Sequence, residues 1–273
     1  MEGTTPRQKR LELESQLQSL ASQVCRDGLP VPHRPEATMA LAVAIRDLLR
    51  DASQASRAST AGALVAQVFD RTMGRIPSAY SGQALACAVG CSFCCYNVVM
   101  ATAPEVFLAA TELRARHDQA FVEAVGAKGD APRQTGGGAK KSPCPLLHDN
   151  LCSVYSARPS VCRKHNSFSV GACIADYEGR GGEIPIRRFD QEIFECCAVA
   201  LLVGMRLWDE RQGAVLELSG ALRIALQDPL AEQKWLAGEG VFAGVASQSK
   251  LPGIDEHAAF LWGRFVGSSG RLG

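Results

Sequence analysis

The chain reads CAVGCSFCC at residues 87–95, which concentrates four cysteines within nine positions: Cys87, Cys91, Cys94 and Cys95. Packing alone does not need this density of thiols, whereas a soft metal centre does, because thiolates are preferred ligands of zinc and of iron–sulfur clusters. The small residues Ala88, Gly90 and Ser92 let the backbone curl around an inorganic centre with its N–H groups turned towards the sulfurs. This stretch therefore predicts a metal site.

Four more cysteines follow in residues 142–173, at Cys144, Cys152, Cys162 and Cys173. Their spacings are too long for a zinc knuckle, so we expect these ligands to come from separate turns, which Pro145 and Pro159 would stiffen. Nearby cations could offset the negative charge of several thiolates, namely Arg158, Arg163 and Lys164. We expect all eight cysteines to be metal ligands of one site that an insertion splits in the sequence.

Other potential ligands are weaker candidates. His148 and His165 lie within the second group and could replace a thiolate, although a lone histidine is more often a hydrogen-bonding residue of the surface or core. Cys197 falls on an apolar helix stripe with Cys196 beside it, and Cys25 stands alone, so we assign these three to packing.

The spacing of the cysteines bears on the identity of the metal. Only Cys91 and Cys94 have the two-residue separation of a zinc knuckle, and a second knuckle is missing. Crowded cysteines followed by distant ones are typical of iron–sulfur ligation, so the pattern favours a four-iron, four-sulfur (4Fe–4S) cluster over zinc. Eight thiols could also serve two centres.

The same residues resemble the YkgJ-like cysteine-cluster family of CxxCxxCC type. The family's cysteine cluster ending in a Cys-Cys pair is met at residues 87–95, and its Cys-Pro-Leu, Cys-x-x-Tyr, Arg-Pro and Cys-Arg elements are met at 144–146, 152–155, 158–159 and 162–163. The resemblance covers about residues 85–175, including Asn166, Ser167 and Cys173, and implies a zinc- or iron-chelating domain. One departure is the three residues between Cys87 and Cys91, where the family commonly has two.

Three functions follow from these patterns. The first is a metal-binding protein that chelates zinc or iron, and the second is a metal chaperone or sensor. The third is a metal- or iron-sulfur-dependent enzyme such as a protein lysine methylase, since the family is similar to flagellin lysine methylases. CxxxCxxC at residues 87–94 also resembles the motif of radical S-adenosylmethionine enzymes, but the strand and helix alternation of their barrel is missing.

The periodicity of apolar residues predicts a mainly α fold, an irregular helical domain organised around the cysteine-rich metal site. Helical stripes occur at residues 13–24, 41–48, 61–73, 194–208 and 214–226, and residues 260–265 could dock as a short helix. Thr102 and Glu105 have the spacing of a capping box, with Pro104 in the first turn, so a helix should begin near Ala103 and continue along one face to Val125.

These elements suggest three regions: an N-terminal helical region over 1–80, the cysteine-cluster domain over 81–180, and a C-terminal helical region over 181–273 that packs on it. Residues 127–142, with three consecutive glycines, predict a flexible insertion within the middle region.

Charge and composition limit the classes of binding partner that we expect. Lys and Arg number 29 against 28 Asp and Glu, which lacks the basic excess typical of proteins bound to nucleic acid. The sequence has neither a signal-like start nor a long uncharged apolar run, so we expect no membrane partner and a cytoplasmic location. Thiols stay reduced in that compartment, which favours metal binding over disulfides. The metal or cluster is the partner that the sequence predicts; no protein partner can be named.

Overall fold

The structure is a computed structural model that describes residues 25–26, 29–30, 35–74, 83–129, 141–248, 254, 256 and 258–260. The stripe predicted at residues 13–24 lies outside the described residues. So do Leu261, Trp262 and Phe265 of the last predicted helix, although residues 258–260 before them are helical.

The described part of the chain is mainly helical, as predicted. Its α-helices are α1 (Pro35–Arg50), α2 (Arg57–Met73), α3 (Ala103–Arg116), α4 (Gln119–Lys128), α5 (Ser160–Lys164), α6 (Val170–Tyr177), α7 (Arg188–Trp208), α8 (Leu218–Gln227) and α9 (Ala231–Leu236). Two short 3₁₀ helices cover Phe93–Tyr96 and Tyr155–Ala157.

The strands are short and antiparallel. They are β1 (Cys25–Arg26), β2 (Leu29–Pro30), β3 (Met100–Thr102), β4 (Leu147–His148), β5 (Leu151–Cys152), β6 (Val215–Glu217) and β7 (Ser247–Gln248). Strand β6 lies between β3 and β7, while β1 pairs with β2 and β4 with β5. The described ranges therefore contain no parallel barrel of the kind that radical S-adenosylmethionine enzymes use.

The core forms where α1 packs along α7 and α2 packs along α3. Glycines allow both close approaches. A Cβ added at Gly204 of α7 would lie 2.8 Å from the carbonyl oxygen of Ala42, and one at Gly62 of α2 would lie 2.5 Å from that of Pro104. Since real Cβ atoms do not approach so closely, both positions require glycine for these helices to meet.

A buried carboxylate connects this core to the cysteine-rich segment. The capping box of α3 is present, with Glu105 Oε2 accepting from the Thr102 N–H at 2.9 Å. The other oxygen of Glu105 accepts from the Ser160 N–H at 2.8 Å, at the start of α5. The predicted start at Ala103 is confirmed, and the same residue that caps α3 also positions the helix that carries Cys162.

Several predicted boundaries were wrong. Helix α2 begins four residues before residue 61. The stripe predicted to run from α3 to Val125 breaks at His117, and Asp118 caps the new helix α4 by accepting from the Phe121 N–H. Residues 215–217 of the predicted helix 214–226 form strand β6, because their backbone pairs with β3. Helix α4 also occupies residues 127–128 of the predicted insertion.

None of the helices in the described part of the chain is long and apolar enough to cross a membrane. The division into regions 1–80, 81–180 and 181–273 stays a prediction.

Candidate metal centre

A tight turn holds the first two cysteines of the cluster. The Cys91 N–H donates to the Ala88 carbonyl at 3.0 Å, and Gly90 has a φ of 86°. A positive φ at the third residue is what a type II turn requires, which explains the glycine. Val89, 94% exposed, lies at the tip of this turn. The additional residue between Cys87 and Cys91 is thus accommodated in a turn that returns Cys91 towards Cys87.

Cys87 is fixed by the segment between α5 and α6. Its sulfur accepts from the Ser167 N–H at 3.3 Å, and the neighbouring Ala86 N–H donates to the Ser167 carbonyl at 2.8 Å. Ser169, two residues further, caps α6 by accepting from the Ala172 N–H. Cys87 therefore lies beside the beginning of the helix that carries Cys173.

Aromatic packing brings α6 onto the 3₁₀ helix that carries Cys94 and Cys95. The ring of Tyr177 lies 4.8 Å from that of Tyr96 and 5.8 Å from that of Phe93, measured between centroids. Cys173 is four residues before Tyr177 and so shares its helix face. This packing holds the helix that carries Cys173 against the 3₁₀ helix, and the Cys173 sulfur lies near that of Cys87.

A hairpin returns Cys152 to the same region. Asp149 and Asn150 both have positive φ, 48° and 59°, as a two-residue type I′ turn between β4 and β5 requires. Leu147 pairs with Cys152 across the hairpin. Before it, the Cys144 N–H donates to the Cys95 carbonyl at 2.7 Å, which joins the second group of cysteines to the first.

Packing against the hydrophobic core divides the eight thiols into two sets. Cys144 belongs to the core itself, and three further cysteines pack against it: Cys95, Cys152 and Cys162. We call these four the inner set. The remaining four are exposed or half-buried and lie outside the core: Cys87, Cys91, Cys94 and Cys173. We call these the outer set.

The sulfurs of each set lie near one another without forming a closed coordination shell. Charge interactions join Cys87 to Cys91, Cys94 and Cys173, and Cys162 to Cys144, Cys152 and Cys94. Within the described ranges, no three Cys, His, Asp or Glu side chains are gathered closely enough to hold a metal ion as they stand. Zn–S bonds of about 2.3 Å in a tetrahedron would draw the sulfurs to about 3.8 Å from each other.

Cys94 and Cys95 form a thiol pair at the boundary between the two sets. The Cys95 thiol donates a hydrogen bond to the Cys94 sulfur, and this bond lowers the pKa of Cys94 to about 7 despite its burial. The same bond, together with burial, raises the pKa of Cys95. One sulfur of the pair is therefore a thiolate near neutral pH, which is the form that binds metals.

The buried thiols of the inner set are held protonated. Burial is the main cause that raises the pKa of Cys152 and Cys162, and neighbouring cysteines raise it further. Arg158 opposes this effect, since its guanidinium lowers the pKa of both and also that of Cys94. A metal ion at this place would have to displace the protons, so binding would release them and depend on pH.

The three cations that we expected near the thiolates have different roles. Arg158 stacks over the Tyr155 ring at 4.0 Å and acts on the thiols. Arg163, whose side chain is 2% exposed, donates to Asp70 and to the backbone carbonyls of Ser156 and Arg158. Lys164 lies 4.3 Å above the Phe194 ring. Arg158 is thus the cation best placed to offset thiolate charge.

The two candidate histidines have contacts of other kinds. His148 lies 3.2 Å from Asp149 and packs edge-on against Phe121. Burial lowers the pKa of His165, which keeps its ring neutral, and its carbonyl lies 3.9 Å from the Cys87 sulfur. Cys196 and Cys197 are buried in the core on α7, as predicted, whereas the side chain of Cys25 lies outside the described residues.

Two polar networks that support the site were missed from the sequence. Lys141 Nζ donates to Asn97 Oδ1 at 3.0 Å and to Asp176 Oδ2 at 3.1 Å, which links the end of the 3₁₀ helix to α6. Asn166 Nδ2 donates to the buried carboxylate of Asp190 at 2.7 Å, which links the loop after Cys162 to α7. Lys141 lies within the insertion predicted at residues 127–142, whose flexibility stays a prediction.

The thiol pair leads to a prediction on pH. In the metal-free protein, we expect alkylation of Cys94 by iodoacetamide to increase through about pH 7, because thiolate replaces thiol there. Replacing Cys95 with alanine should move this midpoint upwards, since it removes the largest cause of the lowered pKa. Peptide mapping after short pulses of reagent measures the rate at each pH.

Arg158→Gln is the control for a weaker effect. Arg158 lowers the pKa of Cys94 less than the hydrogen bond from Cys95 does, so this variant should shift the midpoint by less than Cys95→Ala. A midpoint that stays near 9 in the unchanged protein would contradict the hydrogen-bonded pair.

Comparison with known proteins identifies the cysteine-rich part of the chain. Residues 86–184 match the family model CxxCxxCC, described as "Putative zinc- or iron-chelating domain". The match includes all eight cysteines of the inner and outer sets. No curated protein and no solved structure matches the chain.

Proposed function

We propose that residues 86–184, which match the CxxCxxCC family model, bind zinc or iron through the eight cysteines of the inner and outer sets. The family supports metal chelation as the function. The observation that carries the choice of ligands is the convergence of separate segments on one region: the turn at residues 88–91, the 3₁₀ helix, the hairpin, α5 and α6 all bring a cysteine to it.

The chemistry of the donors supports this proposal. Thiolates are soft ligands that suit zinc and iron–sulfur clusters, and they do not suit magnesium or calcium. A centre with four thiolates also carries a net negative charge when it holds a divalent ion. Arg158 supplies a complementary charge, and its Nε is buried without a hydrogen-bond partner in the described part of the structure. Negative charge on nearby sulfur would compensate that buried donor.

We favour the alternative in which the domain binds iron as a 4Fe–4S cluster. A set of four cysteines is the complement that such a cluster uses, and the crowding of residues 87–95 is closer to iron–sulfur ligation than to paired zinc knuckles. A zinc ion would instead be bound directly by four of the same sulfurs, arranged as a tetrahedron. The zinc and iron alternatives differ in colour and in sulfide content.

A reducing compartment such as the cytoplasm is the location that we propose. The ten cysteines whose side chains the structure describes form no disulfide, and thiols at this density persist as metal ligands where glutathione and thioredoxin keep them reduced.

The first test is elemental analysis of the protein purified without oxygen, together with a visible spectrum. We expect stoichiometric zinc, or iron with equal acid-labile sulfide and charge-transfer absorption. Treatment with a strong chelator should remove the metal and lower the melting temperature, because the free energy of metal binding stabilises the fold that brings the ligands together. Protein that contains neither metal and cannot be loaded with either would contradict the proposal.

A further inference from the structure

We propose that the eight cysteines form two four-sulfur metal sites, an inner site of Cys95, Cys144, Cys152 and Cys162 and an outer site of Cys87, Cys91, Cys94 and Cys173. This inference rests on the proposed function and adds to it the number of centres and the order in which they exchange metal.

The inner site is built into the hydrophobic core. Cys144 is 8% exposed and is tied to the first cluster by the hydrogen bond from its N–H to the Cys95 carbonyl. Cys152 is held by the hairpin, and Cys162 by α5, whose first residue is anchored to Glu105. These elements are fixed by contacts that do not involve the sulfurs. The fold therefore places the four thiols in one region before any metal binds, and the metal would draw them to ligand distance.

The outer site is built from surface elements. Cys87 is exposed, and Cys91 follows a turn with the fully accessible Val89 at its tip. Cys173 is half-buried on α6, which is held by the aromatic contacts of Tyr177 and by Asp176 with Lys141. Solvent and competing ligands can reach these sulfurs more easily than those of the inner site.

Helix geometry explains why adjacent cysteines belong to different sites. A 3₁₀ helix has three residues per turn, so neighbouring side chains point about 120° apart. Cys95 packs against the core, whereas Cys94 does not. The two thiols remain joined by a hydrogen bond, so the two sites would be close neighbours that meet at Cys94 and Cys95.

Different burial predicts different exchange. A metal ion in the inner site can leave only if core-packed segments open, whereas the outer site can lose a ligand through motion of the exposed turn. Charge does not separate the two sites, because Arg158 acts on Cys94 as well as on Cys152 and Cys162. The inner site should therefore release its metal last and, once metal has equilibrated between the two sites, retain the first equivalent.

The test uses the full-length protein, made metal-free under anaerobic conditions and titrated with Zn²⁺ alone. We expect two zinc ions per chain and two phases of release to a chromogenic chelator. At one equivalent of zinc, alkylation followed by peptide mapping should find Cys144, Cys152 and Cys162 more protected than in the metal-free protein, with Cys87 and Cys173 as reactive as before. This footprint needs no variant and so does not depend on any variant being folded.

Matched serine variants assign the phases. Cys173→Ser should bind one zinc ion and lose the fast phase. Cys162→Ser should lose the slow phase, with folding checked by circular dichroism. Cys196→Ser is the control, since its buried sulfur lies 3.0 Å from Thr38 Oγ1 and serine can keep that hydrogen bond; it should retain two zinc ions.

The possible outcomes separate this inference from the function on which it rests. A single zinc ion per chain, uniform protection of all eight cysteines at one equivalent, or loss of all zinc in Cys173→Ser would overturn the two-site arrangement and leave metal binding intact. Two zinc ions retained by both Cys173→Ser and Cys162→Ser would overturn the assignment of ligands. Failure of the unchanged protein to bind any zinc or iron would contradict the proposed function itself.

Discussion

Cys94→Ser is expected to weaken zinc binding by roughly 100- to 1000-fold. A structural zinc site with four ligands contributes about 10–16 kcal/mol of apparent binding free energy, so one ligand accounts for roughly a quarter, about 2.5–4 kcal/mol. Each tenfold change in affinity corresponds to about 1.4 kcal/mol. Cys94 is the thiol whose pKa is lowered towards neutrality, so it provides a thiolate without the cost of deprotonation that the buried thiols carry. Competition with a chelator of known affinity measures the change.

The same substitution should also reduce the stabilisation that zinc gives to the fold. Melting temperatures with and without zinc should differ less in Cys94→Ser than in the unchanged protein, because ligand binding stabilises the folded state by mass action. Cys197→Ser is the comparison for a cysteine of the core: it should lower the stability of the metal-free protein and leave the number of bound metals unchanged. Equal zinc affinity in Cys94→Ser and the unchanged protein would refute the role of Cys94 as a ligand.

Local patterns of the sequence were sufficient for several elements. The capping box at Thr102 and Glu105 was correctly predicted because its hydrogen bonds join residues three positions apart. The stripe from Phe194 to Trp208 predicted most of α7, since one face of a long helix is buried along its whole length. The eight cysteines could likewise be singled out from spacing and from the family resemblance.

The features that the sequence did not predict depend on contacts between segments that are distant in the chain. Residues 215–217 belong to a segment whose apolar spacing predicted a helix. They form strand β6 instead, because β3 and β7 pair with it on either side. The division of the cysteines into inner and outer sets depends on which segments pack against the core, and spacing carries no such information. Arg163 was predicted to offset thiolate charge, and it does lower the pKa of Cys152 as a minor cause, but its guanidinium is chiefly engaged by Asp70 and by two backbone carbonyls.

Arg163→Met is expected to destabilise the metal-free protein by about 3–5 kcal/mol, the usual cost of removing one partner from a buried ion pair. We expect a destabilisation at the low end of this range, because the Asp70 side chain is 58% exposed and water can solvate its charge. The larger share comes from the carbonyls of Ser156 and Arg158, which lose buried donors. Urea unfolding of the metal-free protein measures the loss.

Asp70→Asn separates the ion pair from the backbone contacts. Asparagine keeps an acceptor for Arg163 Nη1, 2.5 Å away in the unchanged protein, and removes only a largely solvated charge, so we expect a loss within about 1 kcal/mol. Because Arg163 holds the segment between Cys152 and Cys162, Arg163→Met should also accelerate zinc release from the inner site, while Asp70→Asn should not. Equal stability of the two variants would mean that the backbone contacts of Arg163 contribute little. In that case, the inner cysteines would be positioned by the hairpin and α5 without this arginine.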